Sequence, residues 1–401
     1  MSDTYLMENH IRPIGHGEVE ESIRLSQFAF QYELSVEERL ERIVNFKPEQ
    51  SWGYYVEDQL AAKLTIHKLK TWINGCSFDM GGIAGVATWP EFRRHGMVKK
   101  LLIHALLTMK AAGQTISFLH PFEFSFYRKF GWETYAEFKK YEIPKVLIVN
   151  QFISLGQMKR TSDWRLVGEL YQAYAWKFNG ILLRDEEWWT RNVIKKKNTS
   201  AVYYDETGIA KGYVLFNVQD KVMNVDELVF LDEPARNGLW KFIADHDSMI
   251  DKVVLKAPVD DQLAFILNNP RIKQEIVPYF MARIVDLIPF IEKLPMVVGL
   301  EKQKLALHIT DEFAPWNNGV FSVKWSSAGK AKVKLIEAMD SLKKAESSVI
   351  VCNINTLSAM LLGYQRPTLL RSIGRLQASD PAIALLEQLI PRRTTYLMDF
   401  F

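Results

Sequence analysis

From Trp52 to Thr88 the largely apolar chain reads as a run of strands, with polar turns at Glu57-Asp58-Gln59 and at Asn74-Gly75. The Asn-Gly pair favours a tight hairpin, so antiparallel strands are predicted. The period then changes. Val98, Leu101, Leu102, Ala105, Leu106 and Met109 recur at helical spacing, so a helix is predicted over Met97 to Ala112, with Gly113 as its C-cap. A strand over Thr115 to Leu119, a short helix over Ser125 to Phe130 closed by Gly131, and a strand region over Trp132 to Val149 complete a first unit.

The same order returns from Ala201. Strands are predicted over Val202 to Val218 and Lys221 to Phe230, then Pro234, Arg236 and Gly238, a helix from Leu239, and a strand over Lys252 to Lys256. This reads as a degenerate internal repeat whose loop carries Asp232 and Glu233, and those acids argue against a second anion site. A third unit begins near Ile291. Lys304 to Thr310 and Gly319 to Trp325 alternate as strands around an Asn317-Asn318-Gly319 turn, and helices are predicted over Ile354 to Leu362 and Pro381 to Leu389, starting at Asn353 and Asp380. The fold class is mixed α/β, of the α+β kind, in three domains: 1–150, 151–290 and 291–401.

Composition narrows the function more than the fold. Apolar residues make up 48% and charged residues 24% of 401, the balance of an ordinary globular protein. With 50 basic and 47 acidic residues the net charge is +3, so no global field favours nucleic acid or an anionic membrane. No export signal precedes Arg12 and no apolar run reaches about 18 residues, so the expected location is the cytoplasm. Cys76 and Cys352 and the eight histidines show no metal-ligand spacing, and no metal is expected.

One stretch carries chemistry. Val86-Ala87-Thr88-Trp89-Pro90-Glu91-Phe92-Arg93-Arg94-His95-Gly96-Met97-Val98-Lys99 runs from a strand through a basic glycine turn into a helix. Amides at a helix N-terminus point outward with partial positive charge and can hold a pyrophosphate, while Arg93 and Arg94 add charge to the rim. From spacing alone, a surface turn with two solvated arginines fits as well. Further on, Tyr127 sits in Ser125-Phe126-Tyr127-Arg128-Lys129-Phe130-Gly131-Trp132, either as a core tyrosine or as a proton donor.

Taken in order, these motifs resemble the GNAT superfamily of acyl-CoA dependent acetyltransferases. Arg93 and Gly96 match its pyrophosphate loop, with Val98 where a second small residue usually sits. Tyr127 matches the tyrosine that stands beside the thioester sulfur. The repeat, the Met281-Ala282-Arg283-Ile284-Val285-Asp286 segment and the aromatic end at Phe401 extend the resemblance to the Eis (enhanced intracellular survival) family, in which two GNAT-type regions precede a sterol carrier protein-like domain.

The resemblance implies acetyl transfer from acetyl-CoA to a primary amine, such as an aminoglycoside, polyamine or lysine-like acceptor. It assigns Tyr127 as general acid and the Phe401 carboxylate as base or amine-orienting group. Val86, Ala87, Thr88 and Arg93 through Lys99, including His95 and Met97, would hold the coenzyme. Phe28, Phe30, Tyr32, Glu33 and Asp399 would face the acceptor, although the first four also fit core aromatics with one solvated acid. A homo-oligomer, commonly a hexamer, is implied as well. Trp188-Trp189 reads as the packed face of a helix, and Lys195-Lys196-Lys197 as a solvated helix end. The competing reading is a lipid-binding or scaffolding protein on an inactive acetyltransferase fold.

Overall fold

The computed structural model describes residues 10–194, 198–297, 303–336 and 349–401. Lys195-Lys196-Lys197 lies outside them. Two repeats share one twelve-stranded sheet in the order β1-β2-β3-β4-β5-β12-β6-β11-β10-β9-β8-β7. In the first repeat β1 (Ile11–Pro13), β2 (Ser51–Val56), β3 (Gln59–Ile73) and β4 (Cys76–Thr88) are antiparallel, and β5 (Ile116–Leu119) joins β4 in parallel. The hairpins form where the turns are predicted: Glu57, Asp58, Asn74 and Gly75 all have positive φ, the left-handed geometry of such turns.

In the second repeat β7 (Gln157–Arg160), β8 (Thr199–Tyr204), β9 (Ala210–Gln219) and β10 (Val222–Phe230) repeat the antiparallel run, and β11 (Lys252–Ala257) again pairs in parallel. The last strands are exchanged. β6 (Glu133–Pro144), which ends the first repeat, pairs with β11 of the second, while β12 (Lys273–Ile284), which ends the second, pairs with β5 of the first. The repeats are therefore joined through their central strands and not merely laid side by side.

Helices α1 (Val19–Phe30), α2 (Val36–Val44), α3 (Met97–Ala111) and α4 (Phe124–Lys129) belong to the first repeat, and α5 (Trp164–Ala175) and α6 (Glu233–Ala244) to the second. Gly113, at φ 72°, ends α3 in the left-handed cap its sequence predicts. The third unit adds α7 (Leu287–Lys293), the four-stranded sheet β15-β14-β13-β16 (Ala331–Leu335, Gly319–Trp325, Gln303–Thr310, Val349–Asn353), and helices α8 (Ile354–Leu361), α9 (Pro367–Ser372) and α10 (Asp380–Leu389). One core runs through all three units, from Phe78 through Tyr171 and Tyr213 to Phe290, Leu357 and Leu397. No described helix is long and apolar enough to cross a membrane.

The C-terminal tail returns to the junction of the repeats. Asn179 donates its amide to Thr394 O (2.9 Å) and accepts that of Tyr396 (3.0 Å), and the buried Tyr396 ring packs on Phe178. Next comes a buried charge network. Arg184 Nε donates to Asp399 Oδ1 (2.9 Å), and its other nitrogens grip Glu227 at 2.6 and 3.2 Å. Tyr213 donates to Glu227 (2.6 Å), Trp188 Nε1 to Asp399 Oδ1 (2.7 Å), and Tyr279 to the Asp399 carbonyl (3.0 Å).

Removing one member of a buried ion network strands its partners. Arg184→Leu leaves two buried carboxylates without their cation and should cost about 3–5 kcal/mol, read as a lower urea midpoint; a loss under about 1 kcal/mol, the worth of an exposed pair, would mean the network does not hold the tail.

Candidate functional site

β4 and β5 pair only from Met80–Ile83 to Ile116–Leu119. Beyond Ile83, β4 continues to Thr88 beside β3 alone, so its other edge is free of a partner strand. Along that free stretch β4 bulges: Lys63 pairs with Ala87 and Thr65 with Ala84, which sets Gly85 and Val86 against the single residue Leu64. Gly85 supplies the φ of +59° that the bulge uses.

β4 leads through a short turn to the start of α3. Gly96 occupies the N-cap at φ +75° with no side-chain cap, and a Cβ there would meet nothing within 4 Å. The first amides of α3, at Met97, Val98 and Lys99, are thus left uncapped by a side chain, beside the exposed Arg93, Arg94 and His95. Val98, in place of a small residue, packs partly into the core beneath the helix.

The second repeat is closed at the same place. Asp232 accepts from the Ala235 amide (2.9 Å) and Pro234 lies in the first turn, so α6 starts at Glu233, six residues before the predicted Leu239. Pro234 to Gly238 is helix and not loop. Gly238 serves packing, since a Cβ there would meet the Tyr203 ring at 2.2 Å. A carboxylate already occupies the helix end that an anion would need.

Tyr127, on α4, is buried against Phe122 and Phe126, with ring centroids at 5.3 and 5.2 Å. Burial raises its phenol above the ordinary value, so it stays protonated at neutral pH. The third unit grips the end of its helix. Asn355 Nδ2 donates to the carbonyls of Arg128 and Trp132, both at 2.9 Å, and the buried Arg283, paired with Asp311 at 2.5 Å, bonds the Phe130 carbonyl.

Phe401 and Phe400 line a cavity of about 520 Å³ together with Ser22, Ser26, Lys63, His67, Gly85 and Trp188. The Phe401 ring packs on Phe280 (4.9 Å), Trp188 (6.2 Å) and His67 (6.3 Å), and Gly82 gives it room, since a Cβ there would stand 2.8 Å away. Phe400 packs on His120 (5.0 Å), one residue beyond β5 and two before Phe122, so the tail and the Tyr127 helix flank the same end of β5. Burial, helped by Lys47, holds His67 down to about 4, so it is neutral at pH 7.

The expected acceptor residues are placed as follows. Phe28, Phe30, Tyr32 and Glu33 do not line this cavity: Phe28 is 51% exposed and packs on Trp89, Phe30 is 48% exposed, and Tyr32 holds Arg42. The helix turns Ser22, Ile23 and Ser26 inward. Asp399 is buried and accepts from Arg184 and Trp188 through Oδ1. Trp188, expected as packing, ties down Asp399 and walls the cavity. Lys63 and His67 were also missed, although a lysine between Ala62 and Leu64 in an apolar strand is a visible anomaly.

Comparison with known proteins agrees with this geometry. Residues 10–135 match one family model described as an acetyltransferase (GNAT) domain, residues 180–284 match a second with the same description, and residues 287–398 match a sterol carrier protein domain. The chain thus carries two GNAT acetyltransferase domains in tandem, followed by a sterol carrier protein-like domain. It shares this whole-chain architecture with Eis1 from Mycobacterium abscessus, at 20% identity and TM-score 0.80 over 98% of this chain and 100% of that one. A probable N-acyltransferase of unknown function from Enterococcus faecalis is 27% identical, with TM-score 0.89 over 98% and 99% of the two chains. An uncharacterized N-acetyltransferase from Streptomyces griseus is 22% identical over 344 residues, 78% of this chain and 79% of that one.

Two tests follow from the contrast between the helix ends and from Lys63. Acetyl-CoA at about 100 times its Kd should stabilise the protein by about 2.7 kcal/mol; Gly96→Asp should abolish that gain and Asp232→Asn leave it, whereas a gain kept in Gly96→Asp would place the coenzyme elsewhere. Burial lowers Lys63 to about 7, against about 10.4 for an unfolded lysine. Between those values the unfolded chain binds the extra proton, so stability should rise with pH from about 7 to about 10, and Lys63→Met should flatten the rise in urea titrations.

Proposed function

We propose that the protein transfers the acetyl group of acetyl-CoA to a primary amine within the first repeat. The observation that carries this reading is a bulged strand with a free edge that runs into an uncapped helix N-terminus, with a cavity at the bulge lined by Phe401. The Met97 to Lys99 amides, with Arg93 and Arg94, suit a pyrophosphate. The free edge of β4 from Ala84 to Thr88 suits a pantetheine arm, because its backbone groups can pair with the amides of that arm as a strand would.

Acetyl-CoA supplies an activated thioester. The ammonium first gives one proton to Phe401 or water; the neutral nitrogen then bonds the acetyl carbon, the carbon–sulfur bond breaks, and the sulfur leaves as a thiol. Tyr127, protonated at neutral pH, donates the proton to that sulfur, and the second proton shed by the nitrogen restores the phenol directly or through water. The Phe401 carboxylate attracts the ammonium and orients it, favouring the neutral amine by accepting its proton directly or through water.

Tyr127→Phe should lower kcat roughly 10²-fold or more in a thiol-release assay, with little change in KM for acetyl-CoA. Turnover left intact would remove Tyr127 from the proton path.

A further inference from the structure

The cavity beside Phe401 carries the wrong charge for a polycation. Arg42, Lys47, Lys63, Lys68 and Arg191 line it, against Asp185 and Glu187, with Phe401 beside them. Both acidic side chains are already engaged. Glu187 accepts from Lys47 at 2.7 Å and from Arg191 at 2.6 Å, and Asp185 caps the Trp188 amide at 2.8 Å.

Lys63 stands apart from the others because it is buried. Its ammonium donates to Ser22 O (2.6 Å), Ser22 Oγ (2.8 Å) and Ser26 Oγ (2.6 Å), all neutral acceptors. The charge is solvated by hydroxyls but not cancelled, and a buried charge without a counter-ion is costly to keep. An anionic ligand would supply the missing counter-charge. Serine hydroxyls can turn from accepting a lysine proton to donating to an anion, so Ser22 and Ser26 fit that exchange. Two other groups sense the same field: Arg42 adds to burial in lowering Lys63, and Lys47 does so for His67.

Position matters as much as charge. Lys63 pairs with Ala87 at the edge of the β4 bulge and lines the same cavity as Gly85 and Phe401. We propose that the acceptor is a primary amine that also bears an anionic group, carboxylate or phosphate, bound by Lys63 with Ser22 and Ser26 while its amine faces Phe401. This rests on reading the cavity as the acceptor site of an acetyltransferase. The bonds made and broken are those of the acetyl transfer above, with the anion a spectator that fixes the pose. Of the five basic groups Lys47 and Arg191 are paired with Glu187, so a polyamine would instead bring several ammonium groups against Arg42, Lys63 and Lys68.

The test is thiol release from saturating acetyl-CoA with matched amines: 4-aminobutyrate against butylamine, O-phosphoethanolamine against ethanolamine, lysine against cadaverine, with spermidine and an aminoglycoside alongside. The anionic member of at least one pair should be favoured about tenfold or more in kcat/KM. Lys63→Met should bring that ratio to near parity through KM, and Lys63→Arg should retain it. The carboxylate and phosphate pairs tell the two anions apart. A wild-type preference for spermidine or the aminoglycoside overturns the inference but leaves the acetyltransferase reading standing, as does an unchanged ratio in Lys63→Met. No turnover of any amine by protein that binds acetyl-CoA overturns both.

Discussion

A guanidinium with almost no access to water sits where the three units meet, and its bonds decide where the chain ends. Arg184 lies between Glu227 of the second repeat and Asp399 of the tail, over the rings of Tyr171 and Trp189. A buried arginine is tolerable only when its donors are matched, and here Nε and both terminal nitrogens find carboxylate oxygens. Burial pushes the Asp399 carboxyl up while Arg184 and Trp188 pull it down, so the anchor depends on its partners. Two residues on, Phe401 has little freedom except to lie against His67, Phe280 and Trp188.

The exchanged strands give the same junction rigidity. Because β12 lies between β5 and β6, β5 is braced by the second repeat, and Arg283 on β12 reaches both Asp311 and the end of the Tyr127 helix. Asn355 of the third unit holds that helix from the other side. The second repeat thus contributes a scaffold, with its own helix start capped by Asp232. The third unit contributes grip on α4 at one point and the tail at another. Together they set the Tyr127 helix and Phe401 around one end of β5.

Much of this was legible along the chain, for reasons that are local. Turn residues at Glu57-Asp58 and Asn74-Gly75 impose their geometry through backbone sterics alone, and the α3 stripe and its Gly113 cap follow from helical spacing. What was not legible depends on partners far apart in sequence. Asp399 reads as an acid near the end of the chain until Arg184, 215 residues away, turns it into an anchor. The rotation of α1 that places Ser22 and Ser26 inward, and leaves Phe28 and Phe30 exposed, is set by what lies beneath the helix and not by its own pattern. The exchange of β6 and β12 is a matter of which strands they lie between, and neither strand's own sequence names its partners.

The central claim is that this anchored tail puts the end of the chain to work in acetyl transfer, and truncation separates that from packing. Thiol release should be compared between Phe401→Ala, which keeps a main-chain carboxylate at position 401, and deletion of residue 401, which withdraws it. Acetyl-CoA binding should survive in both, turnover should persist in part in Phe401→Ala, and deletion should lose it roughly 10²-fold, the usual worth of a positioned proton-transfer group. Equal turnover in the deletion and the intact chain would contradict the claim and leave Phe401 as packing alone.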